Sequence, residues 1–189
     1  TYGTNGITYE GEYHVQLLNE SFYKKIKKAR KLADYVIVIP HNGTEYQTNP
    51  SDIYRNQYHR MLESGADAVI ASHPHILQPM EYEIIEEGDG SSRTGFILYS
   101  MGNFISSQTT EPRDAGVIFN MTIEKEGEKR AEIKEISVIP TWCRFMDAAG
   151  RRNFTVFSIY DLLHMDAKKR NSMIRSSDYA RVQRYQELS

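Results

Sequence analysis

Two short and almost wholly apolar runs stand out along the chain. The first covers residues 35–39 and the second residues 68–71, and both are rich in β-branched side chains. Such runs are typical of strands buried on both faces of a parallel sheet. Residues 50–63 lie between the two runs. They begin with a proline, which is a helix start signal, and are followed by Gly65, which is a helix stop signal. The pattern therefore predicts a βαβ unit, which is right-handed almost without exception.

The pattern changes after this unit. Four later segments of strand length alternate between apolar and polar residues or run apolar, and glycine-rich or polar turns separate them. These segments are residues 77–86, 95–100, 115–124 and 131–140. We interpret them as an antiparallel meander that forms mostly a second sheet.

Helical patterns occupy the remaining parts. Residues 19–33 carry an apolar stripe at helical spacing and a lysine-rich opposite face. No aromatic residues interleave with these lysines, so a solvated helix is expected and no nucleic-acid interface. Residues 141–155 are predicted to be irregular, and residues 158–188 to be helical with weak packing. The predicted domains are therefore 1–145 and a helical extension over 146–189.

Composition sets broad limits on this chain. Its 189 residues, 40% of them apolar and 25% charged, are enough for one globular domain with a core. No apolar run approaches the roughly 20 residues that span a bilayer. Cys143 is the single cysteine, which excludes an intrachain disulfide. Because the chain begins at Thr1 without methionine, we expect a fragment or a processed form.

Three histidines follow the two apolar runs. His41 comes after the first, and His73 and His75 flank a proline after the second. The carboxyl ends of parallel strands meet at one edge of a sheet, where α/β proteins place their active sites. Neutral imidazole is also a common metal ligand. A His-x-His pair alone is a modest signal, but His41 beside it strengthens the prediction of a metal site.

Two further residues are candidates for chemistry near these histidines. Glu45 follows His41 in the same loop and could orient a histidine ligand, act as a general base, or be an ordinary loop carboxylate. Asn103 follows the 95–100 segment and could donate to a substrate oxygen or bond its own loop backbone. The chain has no glycine-rich dinucleotide motif, no Walker loop and no serine nucleophile elbow.

Four segments in order resemble one protein family. They are His41–Tyr46, Gly65–Asp67, Ser72–Pro79 and Tyr99–Phe104. They resemble the bacterial poly-γ-glutamate capsule synthesis proteins of the CapA type, which are similar to calcineurin-like metallophosphoesterases. The resemblance covers about residues 1–140 and is with the carboxyl-terminal half of the family domain.

The resemblance implies an α/β fold that is part of a four-layer αββα sandwich with a two-metal site. By analogy, His41 and His73 would share one metal and His75 would bind the other, the metal being manganese, zinc, iron or magnesium. The remaining ligands, a bridging aspartate among them, would precede Thr1. This chain alone is therefore expected to bind metal weakly and to lack phosphatase activity.

Two functions are compatible with the resemblance. One is a metal-dependent hydrolase or transferase that acts on a phosphate ester or an amide-linked acidic polymer. The other is a non-catalytic envelope component that binds, assembles or exports an anionic capsule polymer. The implied partners are an anionic polymer or a phosphorylated small molecule, the amino-terminal half of the domain and, if an apolar face is left open, a second copy. The implied location is the cell envelope or another extracytoplasmic site.

Overall fold

A computed structural model describes residues 16–148 and 151–186 of the protein. The elements are α1 (Glu20–Arg30), β1 (Ile37–Val38), α2 (Asp52–Glu63), β2 (Ala68–Ile70), β3 (Met80–Glu86), β4 (Ser92–Leu98), β5 (Ala115–Glu124), β6 (Glu132–Ala148), β7 (Arg151–Ser158), α3 (Ile159–His164), α4 (Ala167–Met173) and α5 (Ser176–Gln186). The mixed α/β class is confirmed. Among the described helices, none combines the length and the apolar character needed to cross a membrane.

The first sheet contains the predicted βαβ unit. Its order is β1-β2-β4-β3, with β1, β2 and β4 parallel and β3 antiparallel to β4. The prediction that both apolar runs are buried on two faces holds for β2 but is wrong for β1. Val36 and Val38 are buried, whereas Ile37 and Ile39 expose 43% and 65% of their surface. Alternate side chains of a strand point to opposite faces, so in the described part of the sheet only the face of Val36 and Val38 is covered over β1.

Helices α1 and α2 supply much of the core beside the first sheet. Asn19 caps α1 by accepting a hydrogen bond from the backbone N–H of Phe22. Phe22 and Ile26 of α1 and Leu62 of α2 are buried in the same apolar cluster as Val69 of β2. This packing holds the strand ends that carry the histidine loops.

The predicted assignment of strands to sheets is partly wrong. The segments near 77–86 and 95–100 became β3 and β4 of the first sheet, and only β5, β6 and β7 form the second, antiparallel sheet. The cause lies in β4, whose Phe96, Ile97 and Leu98 are almost fully buried. Such residues suit a central strand, and β4 lies between β2 and β3.

The two sheets face each other. Phe96 and Leu98 of the first sheet pack with Phe119 and Met121 of the second, and the Phe96 and Phe119 rings stack at 5.5 Å. On the other side of the second sheet, Ile118 is 40% exposed. The described residues thus form two facing sheets, with α1 and α2 packed beside the first one, and the four-layer sandwich stays a prediction.

The carboxyl-terminal region differs from its prediction. Residues 141–155, predicted to be irregular, mostly belong to β6 and β7, and the domain boundary predicted at residue 145 falls inside β6. The helical segment 158–188 is three short helices in the described part. Its packing is tight, because Leu162 of α3 and Tyr185 of α5 are buried with Trp142.

Candidate metal centre

Backbone pairing beyond β1 and β2 positions His41. The parallel alignment continues past both strands, with the Asn42 N–H donating to the Ser72 carbonyl at 3.1 Å and the Ser72 N–H to Pro40 at 3.2 Å. His41 Nδ1 lies 3.0 Å from Ser72 Oγ. Because Ser72 occupies Nδ1, Nε2 of the same ring is the nitrogen that faces the second histidine loop.

The backbone of that second loop turns both of its histidines to one side. His73 and His75 have backbone φ angles of +115° and +62°, which lie in a region that residues other than glycine seldom adopt. The ring centroids lie 5.8 Å apart, although alternate residues of an extended chain point in opposite directions. Gly43 packs so closely beneath Pro74 that a Cβ there would lie 2.9 Å from the proline ring. Backbone strain of this kind is common at functional sites.

The three predicted histidines therefore converge. His73 Nδ1 lies 3.3 Å from His41 Nε2, and the two ring centroids are 5.1 Å apart. Two nitrogen ligands of a tetrahedral zinc ion, each about 2.0–2.1 Å from the metal, are themselves about 3.3 Å apart. The spacing of this pair thus fits a shared metal, while the ligand roles themselves stay a prediction.

Glu45 lies nearer to the candidate ligand atoms than the sequence alone indicated. Its Oε1 is 3.9 Å from His75 Nε2, and Glu45, His73 and His75 each offer one ligand atom within 4.8 Å of the others. Two imidazoles and a carboxylate form a ligand set known from catalytic zinc sites. Glu45 is therefore a candidate ligand, in addition to the orienting or base role predicted from sequence.

Asn103 bonds to the backbone of its own loop, which was the predicted alternative to substrate binding, and also to His75, which was not predicted. Its Oδ1 accepts a hydrogen bond from His75 Nδ1 at 3.0 Å, and its Nδ2 donates to the carbonyls of Arg113 at 2.8 Å and His75 at 3.3 Å. The bond to Nδ1 leaves His75 Nε2 as the nitrogen available on the side of Glu45. The geometry makes Asn103 a positioning residue for His75.

The electrostatic surroundings of His41 favour its neutral imidazole form. Burial lowers the pKa of His41, and positive charge on His73 and His75 would lower the pKa further. Metal binding requires the deprotonated ring nitrogen. The surroundings of His41 therefore favour the form that binds a cation.

Two neighbours of the cluster were not singled out from sequence. The Tyr46 ring stacks on His75 with centroids 6.0 Å apart, and the guanidinium of Arg113 lies 3.7 Å from the centre of the Tyr46 ring. Tyr46 was part of a recognised motif, but Arg113 lies ten residues after Asn103 in a loop that contains no recognised motif. Only the folding of that loop back onto Asn103 brings Arg113 here.

The other histidines lie apart from this cluster. The ring nitrogens of His59, on α2, lie within hydrogen-bond distance of the carboxylates of Glu81 and Glu83. His164 is on α3 and exposed. His14 lies outside the described residues.

Comparison with known proteins agrees with these motifs. Residues 2–108 match the model of the family described as bacterial capsule synthesis protein PGA_cap. The chain belongs to this family. The matched range contains all four segments on which the resemblance was based, and so it contains the three histidines, Glu45 and Asn103. The recognition of a CapA-type capsule synthesis family from sequence is therefore confirmed.

Two similar proteins are both named as CapA proteins of capsule or PGA biosynthesis. The chain is 36% identical over 120 residues to the PGA biosynthesis protein CapA of Bacillus subtilis (strain 168). It is 33% identical over 100 residues to the capsule biosynthesis protein CapA of Bacillus anthracis. These matches cover 63% and 50% of the chain but only 29% and 22% of the relatives. The chain therefore spans less than a third of the length of either relative.

Proposed function

We propose that this chain contributes a divalent metal centre to a capsule biosynthesis protein that acts as a metal-dependent hydrolase or transferase. The observation that carries the proposal is the convergence of His41, His73, His75 and Glu45 at the carboxyl ends of β1 and β2. Capsule biosynthesis is the role in the names of both relatives. A cell-envelope or other extracytoplasmic location, and a four-layer sandwich in the whole domain, belong to the same proposal.

The donor set narrows the choice of metal. Imidazole nitrogen with one carboxylate suits zinc, manganese or iron, whereas magnesium prefers oxygen ligands and retained water. When bound, such a metal polarises a phosphoryl or carbonyl oxygen of the substrate. The protein residues hold the ligands in place: Ser72 orients His41, and Asn103 orients His75. Glu45 serves as a ligand or accepts a proton beside it.

Metal binding to the purified chain tests the centre. We expect zinc or manganese to bind in isothermal titration, and His73→Ala to weaken the affinity at least about tenfold because this ring faces both His41 and the Glu45 side. His164→Ala removes an exposed imidazole and should leave the affinity unchanged. A wild-type chain without metal affinity, or equal affinity in both variants, would contradict the proposal.

Turnover separates the two functions considered above. In the full-length protein, metal-dependent hydrolysis of an aryl phosphate that is lost in His73→Ala supports a hydrolase. Metal binding without turnover of phosphate esters or γ-glutamyl amides supports a non-catalytic component that binds anionic capsule polymer.

A further inference from the structure

Arg113 differs from most other arginines near the core because its guanidinium contacts an aromatic ring and not a carboxylate. Arg30, Arg55 and Arg181 each contact a carboxylate at 2.6–2.9 Å. Within the described residues, no carboxylate lies in salt-bridge distance of Arg113, and its guanidinium packs on the Tyr46 ring instead. The half-buried Arg113 thus places a positive charge beside the candidate metal centre without a fixed counter-ion.

Contacts on two sides hold Arg113 at this place. Its side chain lies on Tyr46, which stacks on His75, and its backbone carbonyl accepts the hydrogen bond from Asn103 at 2.8 Å. The next residue, Asp114, is buried and anchors the loop. The position of the guanidinium is therefore coupled to the same histidine ring that is a candidate ligand.

Tyr46 is itself held in an uncommon conformation. Its φ angle is +64°, and its N–H donates to the Pro74 carbonyl at 2.8 Å. A left-handed backbone is a genuine outlier for a bulky aromatic residue and needs support from surrounding structure. In this conformation the ring stacks on His75 and also holds the guanidinium of Arg113 by cation–π contact.

We propose that Arg113 is the anion-binding residue of this site, with Tyr46 as its platform, and that it holds an oxyanionic group of the ligand next to the metal. The inference rests on the proposed function. Glu45 and Arg113 carry opposite formal charges, and imidazoles that coordinate a metal are neutral, so a bound divalent cation gives the site a net positive charge. A guanidinium donates two parallel hydrogen bonds to a phosphate or a carboxylate. Either anion fits this chemistry, and the experiment compares them.

The test is anion binding by calorimetry to the manganese-loaded protein, with inorganic phosphate and glutarate as probes. We expect Arg113→Gln to weaken binding of the preferred anion about tenfold or more, because a hydrogen bond to a charged group is stronger than one between neutral groups. Arg113→Lys keeps the positive charge but cannot donate two parallel hydrogen bonds, so its anion affinity should lie between those of Arg113→Gln and wild type. Arg175→Gln is the control, because exposed Arg175 lies between α4 and α5.

The outcomes separate this inference from the proposed function. Loss of anion affinity in Arg113→Gln with unchanged manganese affinity supports the role of Arg113. Equal anion affinity in wild type and Arg113→Gln, or a wild-type protein that binds neither anion, overturns it. If the wild type binds no metal, the proposed function fails, and the same comparison on metal-free protein still decides the role of Arg113. Far-UV circular dichroism and thermal unfolding verify that each variant is folded.

Discussion

A buried carboxylate joins the carboxyl-terminal helices to the loop that carries Arg113. Asp114 is 2% exposed and accepts hydrogen bonds from Trp142 Nε1 at 2.8 Å, Arg181 Nη1 at 2.7 Å and the Tyr185 hydroxyl. Burial and the hydrogen bond to Asp114 raise the pKa of Tyr185, so this hydroxyl stays a donor at neutral pH. We predict that Asp114→Ala destabilises the protein strongly.

The magnitude follows from the donors that lose their acceptor. Trp142 and Tyr185 are each 2% exposed, so water does not replace the carboxylate, and each stranded donor costs about 1–3 kcal/mol. Arg181 keeps 31% of its side chain exposed and can turn toward solvent, which limits its cost. We therefore expect a loss of about 3–5 kcal/mol, a large part of the roughly 5–15 kcal/mol by which domains are stable.

Urea unfolding measures this loss. With an m value of about 2–3 kcal/mol/M, the midpoint should fall by about 1–2.5 M. Far-UV circular dichroism follows the whole chain, and fluorescence of Trp142, the single tryptophan, follows this network. Coincident transitions for the two signals would justify a two-state analysis.

Two matched variants interpret the result. Glu111→Ala removes a more exposed pair with Arg184 on the same loop and helix and should cost no more than about 1 kcal/mol. Tyr185→Phe removes one donor and leaves the acceptor satisfied by the other two, so we expect about 1 kcal/mol. A midpoint for Asp114→Ala no lower than that of Glu111→Ala would refute the reasoning that burial makes this network important.

Two further predictions concern the loop after β4. Asn103→Ala should weaken zinc affinity about 10–100-fold, because it releases the His75 ring that Asn103 orients. Asn103→Asp should restore most of the affinity, as measured by competition titration with a chelator. Equal affinity in wild type and Asn103→Ala would exclude a positioning role. Gly102→Ala should destabilise more than Gly90→Ala in thermal unfolding. Both glycines have positive φ, but a Cβ at Gly102 would lie 2.5 Å from the Ala115 carbonyl oxygen, whereas a Cβ at Gly90 would meet open space. Similar losses of stability in the two variants would show that the loop at Gly102 shifts to accommodate the Cβ.

Local chemistry made the first part of the fold predictable. Helix α2 and the order strand–helix–strand depend on signals within a few residues of one another. Convergence of His41 with His73 also followed, because neighbouring parallel strands end at one edge. The family was recognisable for the same reason, since its motifs are short and contiguous.

Strand partners were less predictable. The alternation in β3 is equally suited to either sheet, and only the burial of β4 on both faces places both strands in the first one. Residues 141–155 mix aromatic, charged and glycine residues without a clear period, so their pairing in β6 and β7 was missed. The packing of Tyr185 with Trp142 joins residues far apart in sequence, which a local pattern does not encode.

The sequence by itself determined which side chains are available for chemistry and which edge of the sheet carries them, because strand direction and loop position are local properties. Tertiary structure decided how they meet. The left-handed backbone at His73 and His75 turns both rings to one side, Glu45 comes within reach of His75, and the loop from Asn103 returns Arg113 to the site. These contacts depend on packing between distant segments, and packing arises only when the whole chain folds.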